Sequence, residues 1–222
     1  MERENKDMIV NMLYVRSSLE RANESRREME AVNVKLLKQS ETDQMTGLAN
    51  RYRLNDYSDK VLDYCYEHRL PLAMEILDID FFKQYNDNYG HQQGDECIIA
   101  IADELKKMED RQTFCARYGG DEFIIIYAGA SAEEVYAKAA ALRQNIMNLK
   151  LEHLYSKALP IVTISQGISY GVPEEGNRSW DFLHTADMLL YQVKKRSRND
   201  ICIADIRGQE LDLSSKQEKV EP

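Results

Sequence analysis

The sequence predicts an α+β domain: a central mixed or antiparallel sheet flanked by helices, preceded by an N-terminal coiled-coil helix. Three observations lead there. Strand-like alternation and helix-like spacing interleave from about Asp43 to Arg207. The pair Gly119–Gly120 joins two strand-like runs, so at least one hairpin is antiparallel. Residues 1 to about 42 contain neither Gly nor Pro and intersperse charges of both signs.

Taken in chain order, the first segment accepts a heptad with Met12, Leu19, Arg26 and Asn33 at a, and Val15, Ala22, Met29 and Leu36 at d. The d row is wholly apolar, and the polar a positions fix register and favour a parallel dimer. The competing expectation is a single amphipathic helix packed on its own domain. "LPLAMEILDID" alternates Leu72, Met74 and Ile76 on one face and predicts a strand ending at Asp78. Ile98, Ile101, Ala102 and Leu105 stand at helical spacing after a Gly-Asp start. "TFCARYGGDEFIIIYAG" predicts the hairpin, and Ser131 with Glu134 opens a long helix as a capping box. "PIVTISQGISYGV" predicts a strand, and "SWDFLHTADMLLYQVKKRS" a helix N-capped by Ser179. The tail, 208–222, is polar and is expected to be disordered. No internal repeat is present.

Composition narrows the function. Net charge is −9, which disfavours an extended phosphate backbone as partner, so no nucleic acid is expected. The start, "MERENKDMIV", lacks the apolar core of a signal peptide, and no run of about 18 apolar residues occurs, so a cytoplasmic protein without direct membrane contact is expected. Cys65, Cys97, Cys115 and Cys202 form no Cys-x-x-Cys pair, which fits buried thiols rather than structural zinc.

The chemistry is concentrated in "RYGGDEFIIIY". Asp121 and Glu122 follow Gly119 and Gly120, whose missing side chains let a ligand approach the backbone. A second acidic group, "DIDFF", ends a predicted buried strand; on a continuing strand Asp78 and Asp80 share a face. If the two strands are neighbours, Asp78 and Asp121 converge at one sheet edge. Carboxylates from two strands suit magnesium, a hard cation that takes its remaining ligands from substrate phosphates. Lys83 follows the first acidic group, while Lys194 and Arg198 are spaced one turn apart on the last predicted helix. The bland alternatives are acids solvated at a turn and cations placed favourably near a helix C-terminus.

The chain resembles the GGDEF domain of bacterial diguanylate cyclases. Five ordered blocks carry the likeness: "DQMTGLANR" (43–51), "DIDFFKQYNDNYGHQQGD" (78–95), "RYGGDEF", "VTISQGIS" (162–169) and "ADMLLYQVKKRSRN" (186–199). The resemblance implies a sheet similar to nucleotidyl cyclases and polymerase palms, with GTP as substrate and cyclic di-GMP and pyrophosphate as products. It implies a magnesium or manganese site from Asp78, the Ile79 carbonyl and Asp121. Asp121 is the first candidate for general base; Glu122 is the second, or a supporting ligand. Lys83, Lys194, Arg198 and backbone N–H groups of the "DFFK" turn would meet phosphates, and Asn86 and Asp95 would read guanine. Capping roles for Asn86 and Asp95 are the local alternatives. One site cannot join two nucleotides into a ring, so a homodimer is implied, held by the stalk and driven by an upstream sensor.

Two departures from the family pattern stand out. The inhibitory Arg-x-x-Asp motif is replaced by Asp-Arg-Gln-Thr at 110–113, so strong product feedback is not expected there. Ser197 stands where the family has Gly before its arginine. The alternative function is a catalytically silent GGDEF module that binds nucleotide or dimerises to regulate a partner. A plain coiled-coil adaptor would leave the acids unexplained.

Overall fold

The computed structural model describes residues 41–209 and 211, together with helical positions between Arg16 and Met29. The chain divides between Glu41 and Thr42 into two compact units. Most of the heptad positions lie outside the described residues; Leu19 and Met29, which are among them, are 58% and 66% exposed.

The second unit runs α1 (Arg51–His68), β1 (Leu72–Ile79), α2 (Phe82–Tyr89), α3 (His91–Met108), β2 (Thr113–Gly119), β3 (Glu122–Ala128), α4 (Ala132–Asn148), β4 (Ile164–Gly171), α5 (Ser179–Arg196) and β5 (Ile201–Asp205). The five strands lie in the order β2-β3-β1-β4-β5. Neighbours are antiparallel except β4 and β5, so the sheet is mixed. Strand alternation sorts the core into two layers. Ala73, Leu77, Phe123, Ile125 and Tyr127 face one layer with α3 and α4. Leu72, Met74, Ile124 and Ile126 face the other, with residues of α1 and with Phe182 of α5.

Local chemistry sets the boundaries. The Asn50 side chain accepts from the Arg53 N–H at 3.0 Å and starts α1. The Ser131–Glu134 capping box forms at the head of α4. Ser179, expected as an N-cap, is instead the first residue of α5; Arg178 is the cap, and the Ser179 hydroxyl donates to Asp59 at 2.6 Å, tying α5 to α1. Near the C-terminus, order extends past Arg207. Asp205 N–H donates to the Gln209 carbonyl, and Leu211 N–H donates to Ile203. All four cysteines are buried thiols. No described helix is long and apolar enough to cross a membrane.

Gly167 sits on β4 where α5 crosses closest. A Cβ there would run into the backbone of Ala186 and Leu190. Gly167→Ala is therefore expected to cost about 2 kcal/mol. A urea-unfolding midpoint equal to that of the wild type would show that α5 yields freely at this crossing.

Candidate active site

Three elements meet at the C-terminal end of β1. Asp78 is the next-to-last residue of that central strand, paired in register with Glu122 on β3 and Ser165 on β4. The antiparallel β1–β3 pairing thus brings the first acidic group beside the hairpin that carries Asp121. From α5, the Lys194 ammonium reaches Asp78 at 2.7 Å. Burial pushes the Asp78 carboxyl up to about 6, with the neighbouring Asp121 and Glu122 carboxylates adding to the rise and Lys194 opposing it. Glu122 is also raised, by burial first and then by Asp121 and Asp187, again against Lys194. The Lys194 ammonium thus faces two raised carboxylates, paired with Asp78 and drawing on Glu122, while Asp121 is near enough to raise both. Among the described residues no three acidic, histidine or cysteine side chains are grouped to enclose a metal ion; Asp78 and Glu122 supply the hard oxygen donors such an ion takes, and the buried Ile79 is next in line on the strand.

The hairpin tip is shaped by Arg117. Its Nη2 and Nε donate to the Gly120 carbonyl at 2.8 and 3.1 Å, and its Nη1 pairs with Asp43 at 3.1 Å. Strand register breaks between Arg117 and Gly119, and Gly120 adopts φ +54°, which glycine takes at least cost. Asp43 also accepts from the Thr46 N–H and hydroxyl; although burial acts upward, these bonds and Arg117 hold its carboxyl below the usual range.

Asp80 does not join Asp78. The strand ends at Ile79, the chain turns, and the Asp80 side chain is fully buried. It accepts from Thr163 Oγ1 at 2.7 Å, Ser165 Oγ at 2.6 Å and the Asn199 N–H at 3.0 Å. Arg198 pairs with it at 3.5 Å and lies over the Phe81 ring at 4.2 Å. Nor are Lys194 and Arg198 one turn apart on a helix, as the spacing suggested. Helix α5 stops at Arg196; Ser197 keeps a negative φ, so Arg198 and Asn199 take the left-handed conformation instead. The two cations serve different acids.

Phe81, at φ +58°, opens the "DFFK" turn. Its carbonyl faces His153 Nε2 at 3.2 Å. His153 is wholly buried against Tyr85 and Tyr89, and burial lowers its pKa. It lies in the loop between α4 and β4, which has no periodicity to announce it, so spacing alone does not single it out. Lys83 is exposed on the first turn of α2.

Asn86 and Gly94 meet where α2 packs on α3: a Cβ at Gly94 would overlap the Asn86 amide. The Asn86 Oδ1 is buried without a hydrogen-bond donor, while Asp95, adjacent to Gly94, is exposed. Neither residue caps a helix through its side chain. Helix α3 begins at His91, which puts Asp95 in its second turn. An unpaired buried acceptor beside an open carboxylate suits a ligand edge with two adjacent N–H donors.

A five-stranded mixed sheet flanked by helices, with Asp78 and Glu122 opposed at the end of its central strand, has the architecture of GGDEF domains. The family described as diguanylate cyclase, GGDEF domain, matches residues 40–200, and the chain belongs to it. It is 34% identical over 163 residues to the probable diguanylate cyclase DgcC of Escherichia coli, covering 72% of this chain and 42% of that protein. Identity to the diguanylate cyclase DgcP of Pseudomonas aeruginosa is 32% over 190 residues, 84% of this chain and 28% of that protein. The chain thus spans less than half the length of these curated relatives. Among solved structures, the coiled coil and GGDEF domain of DgcB from Caulobacter crescentus, in complex with c-di-GMP, aligns with a TM-score of 0.68 and 29% identity, covering 83% of this chain and 97% of that one.

Proposed function

We propose that the chain is an active diguanylate cyclase that condenses two GTP into cyclic di-GMP with release of pyrophosphate, working as a homodimer. The observation that supports this reading is Asp78 at the end of β1, paired with Lys194 and opposed across the ladder by Glu122, beside the turn that carries Asp121. Asp78, the Ile79 carbonyl and Asp121 would hold magnesium or manganese, with Glu122 in support; when bound, the ion polarises the α-phosphate and favours the 3′-oxyanion. Asp121 accepts the 3′-hydroxyl proton, with Glu122 as the alternative base. Lys83, Lys194, Arg198 and the backbone beside Gly119 and Gly120 receive phosphate oxygens, which requires Lys194 to exchange Asp78 for phosphate as substrate enters. Asp95 accepts from guanine N1–H and the 2-amino group, and the same edge supplies the donor that Asn86 Oδ1 lacks. Adenine offers no such pair.

Each domain presents one nucleotide, so the ring closes only when two domains face each other, and positioning is itself a large part of catalysis. A parallel coiled coil over residues 1–42 would hold them together; exposed Leu19 and Met29 support a partner for that helix. An upstream sensor would act through this segment.

Purified protein incubated with GTP and magnesium tests the reading, with products separated by chromatography. Cyclic di-GMP and pyrophosphate are expected, with little turnover of ATP. Asp95→Ala is expected to reduce the preference for GTP by about tenfold or more, since an unpaired guanine edge costs on the order of 1–3 kcal/mol. Tight GTP binding without product at any protein concentration would instead support a silent nucleotide receptor.

A further inference from the structure

The α1/α5 face of the sheet is not sealed. Ile76 is only partly buried there, although most of β1 is fully buried, and it lines a cavity of about 210 Å³ whose base includes Ile124 and Leu183. An apolar cavity of roughly 150 Å³ holds benzene, so this one has room for a phenyl-sized body and a short extension. Its walls are aromatic. Tyr118 stands on the hairpin side, and Trp180 with His184 on α5, their rings nearly parallel at 6.1 Å. Trp180 is 60% exposed, an unusual state for the chain's single tryptophan unless something covers it.

The charged side chains that line the cavity are acidic. Glu122 and Asp187 contribute carboxylates, and no lysine or arginine is among its described lining residues. Lys194 has its ammonium on Asp78 and also acts on Glu122, which leaves Asp187 as the second acid of the lining. Aromatic faces and carboxylates together select for positive charge. The same wall already provides an example, since the Arg51 guanidinium lies 4.4 Å over the Tyr118 ring.

We infer that this cavity binds a small organic cation, an amine or amidinium with an apolar body, whose head lies at Glu122 and Asp187 and whose body rests on Trp180. The site differs in ligand charge from the anionic substrate proposed above, yet it shares Glu122 with the carboxylate group beside Asp78. A ligand held there would lie against a residue of the proposed reaction centre.

Because Trp180 is the chain's single tryptophan, its emission reports on this wall of the cavity. Titration with 2-phenylethylammonium is expected to change that emission saturably, with half-saturation on the order of 1 mM or tighter. The neutral isostere 2-phenylethanol is expected to bind about tenfold more weakly, the difference made by a desolvated cation on an aromatic face. Asp187→Asn is expected to weaken the cation several-fold and leave the alcohol unchanged. Methyl chemical shifts of Ile76 and Ile124 give a second readout that does not depend on the indole. Equal binding of cation and alcohol, no effect of Asp187→Asn, or no saturable change in either emission or methyl shifts would each overturn the inference. None of these readouts requires turnover, so they stand apart from success or failure of the cyclase reading.

Discussion

Asp78→Asn is expected to lower cyclic di-GMP formation by about three orders of magnitude, close to 4 kcal/mol in the barrier, while the domain stays folded. The amide keeps the shape of the carboxyl but loses the charge that two strands and a helix converge upon. The proposed guanine contacts of Asn86 and Asp95 would be untouched, so GTP binding without metal is expected to persist and the loss to fall on turnover. The stability consequence has the opposite sign. The Asp78 carboxyl rises from 3.8 to about 6 on folding, so its favourable contribution is complete below 3.8 and is lost as pH rises through 6. At neutral pH its ionised form opposes folding, and the neutral amide removes that penalty. Lys194, left without its partner, is partly exposed and can turn to water. Activity assays paired with thermal melts at neutral pH read both effects. Retention of more than a tenth of the activity would remove Asp78 from the proposed metal site.

A second large effect lies in the core. Glu75 is wholly buried on the α3/α4 face of β1, accepting from Tyr127 Oη at 2.8 Å and Gln166 Nε2 at 2.6 Å. Burial raises its carboxyl from 4.5 to about 7 against the pull of those two donors. A group raised on folding binds its proton more tightly in the native state. Its stabilisation is therefore complete below 4.5 and declines as pH rises to about 7, by about 3 kcal/mol in all. Glu75→Gln replaces the protonated acid with an amide that still accepts from Gln166 and donates toward Tyr127. The variant should match the wild type in acid, exceed it by up to about 3 kcal/mol above neutrality, and show a flatter stability curve between. Denaturant titrations across that range decide the matter; parallel curves for the two proteins would mean that Glu75 is not the group that titrates.

Much of this architecture is legible in the sequence, and the exceptions have physical causes. Alternation at Leu72, Met74 and Ile76 finds β1 because one residue in two faces each layer, and Gly119–Gly120 finds the hairpin because its tip demands a positive φ. Helix α1 is signalled by Leu54, Val61, Leu62 and Cys65, but tyrosines and charges between them dilute the stripe. Helix α2 has eight residues and starts from a left-handed phenylalanine, a start that no propensity scale announces. Position relative to a strand end is harder to read. Asp78 and Asp80 look equivalent until the chain turns after Ile79 and sends one to the site and the other to the interior. Arg198 misleads for a related reason, because its helical spacing from Lys194 continues beyond a helix that has stopped. His153 and the Arg117–Asp43 pair depend on contacts across 72 and 74 residues of chain, which local pattern does not encode.

The burial of Asp80 has a kinetic consequence. Its partners Thr163, Ser165 and Asn199 lie 83, 85 and 119 residues further along the chain. On a ribosome, a nascent chain that has exposed both acidic motifs still lacks every group that satisfies this carboxylate, so the turn leading to α2 has nothing to fix it. Closing loops of that length is slow relative to local helix formation, which places completion of the turn near the end of folding. Asn199 is the last of these partners to be made. A chain interrupted ahead of that residue would contain both acidic motifs and still leave the buried Asp80 short of a donor.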